Sequence, residues 1–180
     1  MTIKTENQIY SDIIQFINTA LNDLSITGWQ VLQLKQPIKL TEIAPTIYVT
    51  CTTKRRHGWQ MRKYPFVDNE LKHKQDFITE IDVQISALRR RQTDDTTETM
   101  NGADVLEHIK AYMLNIYEIK SLRALGYSIY QPSEIQTPDF FDDSDNFEFM
   151  PFFSVVFILN NSLISPQASI DRVTYKITGV

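Results

Sequence analysis

Glu80 and Asp82 stand two positions apart in an alternating run, so their carboxylates project from one side of a strand. Paired carboxylates can share a proton or hold a metal, as a glycosidase or a metal-dependent nuclease requires. Such sites usually draw on several chain segments, and a lone pair on a wet strand face reads first as a solvated surface. His57, His73 and His108 lie in three separate segments. None has a His, Cys or carboxylate at metal-ligand spacing in a matching local pattern. Cys51 is the single cysteine and lies in the alternating run Ile47 to Cys51. It reads as a reduced thiol on a strand rather than a nucleophile, and alone it excludes a disulfide-stapled scaffold. The chain has five glycines, no glycine-rich loop before a helix and no Gly-x-Ser-x-Gly elbow. These residues assemble no catalytic constellation. Neither an enzyme nor a cofactor nor a bound metal is expected.

Interaction surfaces are better represented than chemistry. Lys54-Arg55-Arg56, followed by His57 and Trp59, and Arg89-Arg90-Arg91 are two basic runs, each at a strand end. Such runs keep strand ends soluble, or contact phosphates or an acidic partner. Between residues 139 and 149 four phenylalanines alternate with four aspartates and one glutamate: Asp139, Phe140, Phe141, Asp142, Asp143, Asp145, Phe147, Glu148 and Phe149. A segment this aromatic is expected to be buried, against its own sheet or against a neighbouring chain.

The elements that must position these residues follow from periodicity. The chain has 180 residues, 42% hydrophobic, 11% aromatic and 22% charged. A chain of this length buries roughly 70% of its unfolded surface and needs no staple to hold a core. The net charge of −4 argues against a surface that clamps nucleic acid as a whole. No apolar stretch is long enough to span a bilayer, and the N-terminus lacks the apolar core of a signal peptide, so a soluble, cytoplasmically made protein is expected.

Ile9, Tyr10, Ile13, Ile14, Ile17, Leu21 and Leu24 recur at helical steps and predict a helix over about 6–24. Residues 46–64 predict a β-hairpin whose tip is Lys54 to Gly58. Residues 75–88 alternate strictly and predict a long half-wet strand. A second helix is predicted over 103–125, capped near Asn101 and ended by Gly126. Short and long strands are predicted over 128–130, 152–159 and 170–177, with an irregular loop from Pro132 to Pro151. Strands in runs, with helices segregated, indicate a single α+β domain: a mixed, mostly antiparallel sheet with two main helices on one face.

The second half also resembles a known family. The residues that carry this are Gln75-Asp76-Phe77-Ile78 through Ile81-Asp82-Val83-Gln84, then a helix with Tyr112, Asn115 and Leu122. Leu125-Gly126-Tyr127-Ser128-Ile129, Ser144-Asp145-Asn146-Phe147-Glu148, Met150-Pro151 and an aromatic strand follow. Together, over roughly residues 45–180, they resemble the neck or tail terminator proteins of long-tailed bacteriophages, called gateway proteins in contractile-tailed phages.

The resemblance implies a non-enzymatic virion protein of the tail and neck, made in the bacterial host. It implies a homohexameric ring at the head-proximal end of the tail tube that stops tube polymerisation. The implied partners are the tube protein, neck or head-completion proteins and the sheath, with DNA passing through the ring without specific binding. No membrane partner is expected. A ring needs two unlike surfaces that mate head to tail. The expected pair is Arg89, Arg90 and Arg91 against Asp139 to Glu148 of a neighbour. The Lys54 to Trp59 tip and the Gln92 to Met100 loop are the expected contacts with tube or neck. The competing reading is a monomeric or dimeric interaction module outside the virion, which would form no ring.

Overall fold

The computed structural model describes residues 4–34, 44–67, 70–89, 100–141 and 147–166; within these, side chains are described except at 57–61, 66–67, 70–71, 139–141, 147–149 and 164–166. Thr5 starts α1 (Glu6–Asp23) with a capping box: its hydroxyl accepts from the Gln8 N–H, and the Gln8 side chain accepts from the Thr5 N–H. The apolar stripe of α1 buries Ile9, Ile13, Ile17 and Leu21. Phe16 joins them against Tyr112, with ring centroids 5.7 Å apart.

After α1, β1 (Gln30–Gln33) pairs parallel with the first residues of β2 (Thr46–Lys63). β2 pairs antiparallel with β4 (Glu70–Leu88), and β3 (Phe66–Val67) folds back on the start of β4. Asn101 caps α2 (Gly102–Met113), its side chain accepting from the Asp104 N–H at 2.8 Å. Asn115 caps α3 (Ile116–Ala124) in the same way through Tyr117. Gly126, at φ 89°, ends α3 in the left-handed conformation that glycine adopts without a Cβ clash. β5 (Tyr127–Ile129), β6 (Asp139–Phe141), β7 (Phe147–Phe149) and β8 (Phe152–Pro166) complete the described elements.

The sheet order is β1-β2-β4-β8-β5, and among the described strands only the β1–β2 pair is parallel. β6 and β7 form a separate two-stranded ribbon. Alternate residues of the three long strands (Ile47 and Val49; Ile81, Val83 and Ile85; Phe153, Val155 and Phe157) form one core with α1 and α2. The architecture is the expected α+β class.

Two expectations are corrected. Residues 46–64 are not a hairpin. β2 runs unbroken through Lys54, Arg55, Arg56, His57 and Trp59, and the reversal comes after Lys63. Register shifts at Cys51/Thr53 and His57/Met61 absorb the polar, glycine-containing stretch as bulges, while pairing with the long β4 holds the strand extended. The predicted helix 103–125 is two helices, broken at Leu114 and Asn115, where Asn115 opens a new N-terminus. The Pro132–Pro151 stretch contains the β6–β7 ribbon, and the predicted strand 170–177 lies outside the described residues.

Candidate assembly surfaces

The helix layer covers only part of the sheet. The core reaches Ile81 on β4 and Leu159 on β8, with Cys51 of β2 packed at its margin. Beyond that line β2, β4 and β8 continue together, to Lys63, Glu70 and Pro166. On β4 alone, Glu70 to Glu80 adds about 36 Å at about 3.3 Å per residue. We refer to this three-stranded extension as the arm and to the helix-covered half as the body.

The arm concentrates charge. Residues 54–74 hold seven of the eighteen Lys and Arg and two of the twenty-two Asp and Glu, a balance of +5 against −9 for the rest of the chain. Strand register sorts this charge by face. On the face opposite the helices, Arg55 pairs with Asp82 at 2.8 Å and Lys74 with Asp76 at 3.2 Å. Asp76 also accepts a short hydrogen bond from the Ser162 hydroxyl, which, with the Lys74 charge, holds its carboxyl below the usual range. The helix-side face differs. Lys54, Arg56 and Arg62 align with Ile81, Thr79 and Gln75 of β4. The Arg56 guanidinium lies 4.4 Å over the Phe77 ring, and Asn161 donates to the Thr79 hydroxyl at 2.9 Å. Among the described residues of the arm, this face carries no carboxylate.

The body exposes apolar groups at the junction of α2 and α3, where the Lys120 ammonium lies 5.7 Å over the Tyr117 ring. Leu114, Ile116 and Tyr117 are exposed there, Ile116 and Tyr117 by 64% and 69%. The Tyr112 hydroxyl donates to Asp23 at 2.6 Å, and Glu118 stands beside it. Burial and these two carboxylates push the Tyr112 hydroxyl well above the usual tyrosine value. Elsewhere in the body, Tyr127 donates to Asp12 at 2.7 Å, and Asp12 also takes Lys4 at 2.6 Å. Burial, then that hydrogen bond, raises Tyr127 strongly. A groove of about 700 Å³ runs beside α1, lined by uncharged groups such as Asn7, Ser11, Gln15, Asn18 and Gln33.

The profile of the E217 gateway protein gp29 family matches residues 6–168. The chain belongs to this gateway family. A comparison with curated protein sequences finds no match. Among solved structures, the sheath/tube terminator of an extracellular contractile injection system (PVC), in its extended state, is similar in fold. It is 12% identical with a TM-score of 0.52, and the alignment covers 100% of this chain and 64% of that one. The chain thus spans about two thirds of the terminator's length. The resemblance read from residues 45–180 is therefore shown as family membership, and the family is one of structural phage tail proteins.

Within this gateway chain the sequence-predicted residues separate. Lys54, Arg55, Arg56, His57 and Trp59 lie along β2 in the arm rather than in a loop. Arg89 follows β4 and its guanidinium donates to the Met100 carbonyl at 3.3 Å. Arg90, Arg91, Asp142 and Asp143 lie outside the described residues. Asp139, Phe140 and Phe141 pair with Phe147 to Phe149, including Phe147 and Glu148, in the β6–β7 ribbon. Glu80 and Asp82 share the outer face of the arm, with Arg55 on Asp82. His73 stacks on Tyr64 at 5.3 Å, and His108 is exposed on α2. Among the described residues no three His, Cys, Asp or Glu groups gather to hold a metal. Sequence reading missed the arm itself and the exposed α2–α3 junction. The signal for the first was the charge imbalance of 54–74, which becomes a surface only once β2 is known to be continuous.

Proposed function

We propose that this gateway protein is a tail terminator: a ring of six copies at the head-proximal end of the tail tube. The ring ends tube polymerisation and joins the tube to the neck, with the sheath beside it. DNA passes through its centre without being held. The observation that carries this reading is the family match over nearly the whole chain, on a fold shared with a sheath/tube terminator. The form of the molecule supports it. A ring subunit must present two unlike surfaces to its neighbours. This chain has a long basic arm and a body of opposite charge balance. The overall charge of −4, repeated around a lumen, favours passage of DNA over retention, because each neutralised phosphate steeply strengthens binding.

The test is assembly. Purified protein examined by native mass spectrometry and negative-stain averaging, alone and with purified tail tubes, is expected to give closed rings of six or tubes capped at one end. A protein that forms no ring and caps no tube at any concentration overturns the reading. Tight duplex DNA binding at physiological salt would overturn free passage.

A further inference from the structure

The two long edges of the arm are finished differently. β2 carries Lys54, Arg55 and Arg56, and two register shifts interrupt its pairing with β4. Charges and bulges of this kind keep a strand edge from accepting a further strand. β8, at the other edge, pairs with β4 from Phe152 to Pro166 without a register shift and has no Lys, Arg, Asp or Glu. Over the body the outer edge of β8 is already taken. Gln136 bridges to Phe152, the Ser133 and Tyr130 N–H groups donate to the Ser154 and Val156 carbonyls, and β5 pairs with Phe157 to Leu159. The main-chain bonds to Phe152, Ser154 and Val156 fall on alternate residues. By the same alternation the N–H and C=O groups of Asn160, Ser162 and Ile164 point to this edge. From Asn160 to Pro166 no strand among the described residues takes them up.

We propose that residues 170–177 of the same chain dock on this edge as an added antiparallel strand, closing the arm as a four-stranded sheet. The segment alternates Arg172, Thr174 and Lys176 with Val173, Tyr175 and Ile177, the pattern of a strand with one covered face. It follows Pro166 after three residues, so its tether gives it an effective concentration that a separate chain does not match. Asn161 and Ser162, at 6% and 8% exposure, are as buried as in a strand with neighbours on both sides. A connection of three residues (167–169) or five (167–171) sets odd positions opposite odd. Val173, Tyr175 and Ile177 then fall on the helix-side face, beside the buried Phe77 and Asn161 and the 46% exposed Leu163. A slip of one residue would turn them to the opposite face. The new edge carries Arg172 and Lys176, the device already present on β2. The arm thus meets other chains through its faces rather than by adding strands. This docking does not rest on the ring reading.

Two measurements on the full chain test it. The first is amide hydrogen exchange at single residues. In the wild type the Asn160, Ser162 and Ile164 amides are expected to be protected. Thr174→Pro with Lys176→Pro removes two donors from the added strand and is expected to speed exchange at these three amides by about tenfold or more. Asn161 and Leu163, whose amides face β4, are expected to stay protected, and circular dichroism establishes that the variant folds. The second is disulfide trapping in a Cys51→Ser background, with Leu163→Cys combined with Val173→Cys or with Tyr175→Cys. Directly opposed residues of this kind approach to about 4.5 Å between Cα atoms, within disulfide reach. One of the two variants is expected to form a disulfide within a single chain, read by non-reducing gel and peptide mass. Where the proline variant fails to fold, the wild-type exchange pattern and the disulfides decide. Unprotected Asn160, Ser162 and Ile164 amides in folded wild type overturn the docking. So does protection that survives in the folded proline variant, or the failure of both cysteine pairs to close. Disulfides that join two chains give the edge to another copy and overturn it as well.

Discussion

On the body side of Cys51, Ile81 and Leu159 every inward position of the three long strands is apolar and shielded by a helix; on the arm side the same strands carry Lys54, Arg56, Thr79, Gln75 and Asn161 on that face. The hydrogen-bonded ladder is continuous across the boundary. Secondary structure is therefore alike in the two halves, and what differs is what is buried: apolar side chains in the body, and the polar Thr79 and Asn161 beside Phe77 in the arm. Backbone pairing alone contributes little net stability, because water competes for the same groups. The body holds itself together by apolar burial. The arm, with Phe77 under Arg56 and few other enclosed apolar groups, is extended through its continuity with the body.

The comparison breaks most directly at its aromatic residues. Phe157 is fully buried among apolar side chains in the body, whereas Phe77 on the arm, at 8% exposure, is buried with the Arg56 guanidinium over its ring and stands outside the main apolar cluster. Phe157→Ala is expected to cost about 3–5 kcal/mol, transfer plus cavity. Phe77→Ala is expected to cost less, about 1.5–3 kcal/mol, because the neighbouring long side chains can settle into the space. Urea unfolding midpoints measure both. Equal losses would mean that the arm is packed as tightly as the body.

A middle-sized effect tests the body alone. Tyr127→Phe removes the hydrogen bond to Asp12 and is expected to cost about 1.5–3 kcal/mol, the range for a bond to a charged group. The folded protein raises the Tyr127 hydroxyl, so its contribution is complete below about pH 10, the ordinary tyrosine value. It is lost as pH rises beyond that through the folded value. Wild-type stability followed by urea titration is thus expected to fall above about pH 10. In the Phe variant the fall should be shallower but still present, since Tyr10 and Tyr112 are raised as well. An unchanged slope would remove Tyr127 from the account.

The smallest effect belongs to the arm's outer face. Asp82→Asn breaks the pair with Arg55, which is exposed and screened, and is expected to change stability by about 0–1 kcal/mol. A loss well above that range would show that the outer face carries more of the arm's order than its exposure suggests. High salt should erase most of whatever is measured.

Much of the body was legible in the chain. The helical stripe of Ile9, Ile13, Ile17 and Leu21, the alternation from Phe77 to Ala87 and the Asn101 cap all depend on neighbours within a few positions. The break at Asn115 was not, because the apolar stripe of α2 carries on past it through Ile116 and Ile119, and only one capping side chain marks the new start. The candidate surfaces were legible as composition but not as geometry. Lys54 to Gly58 has the residues of a turn, and a local reading places a hairpin tip there. The structure keeps it extended because β4, which lies beyond the reversal in the chain, supplies the pairing and two bulges take up the misfit.

The sequence by itself therefore determined the α+β class, the core-facing residues of its main helix and strands, and the family, since each rests on local periodicity or on residue identity. Only the tertiary structure decided that one basic segment becomes a long arm, that its charges divide between a compensated face and an uncompensated one, and that apolar groups are exposed at the α2–α3 junction. Those facts depend on strand register and helix placement, which join residues far apart in the chain and leave no period behind.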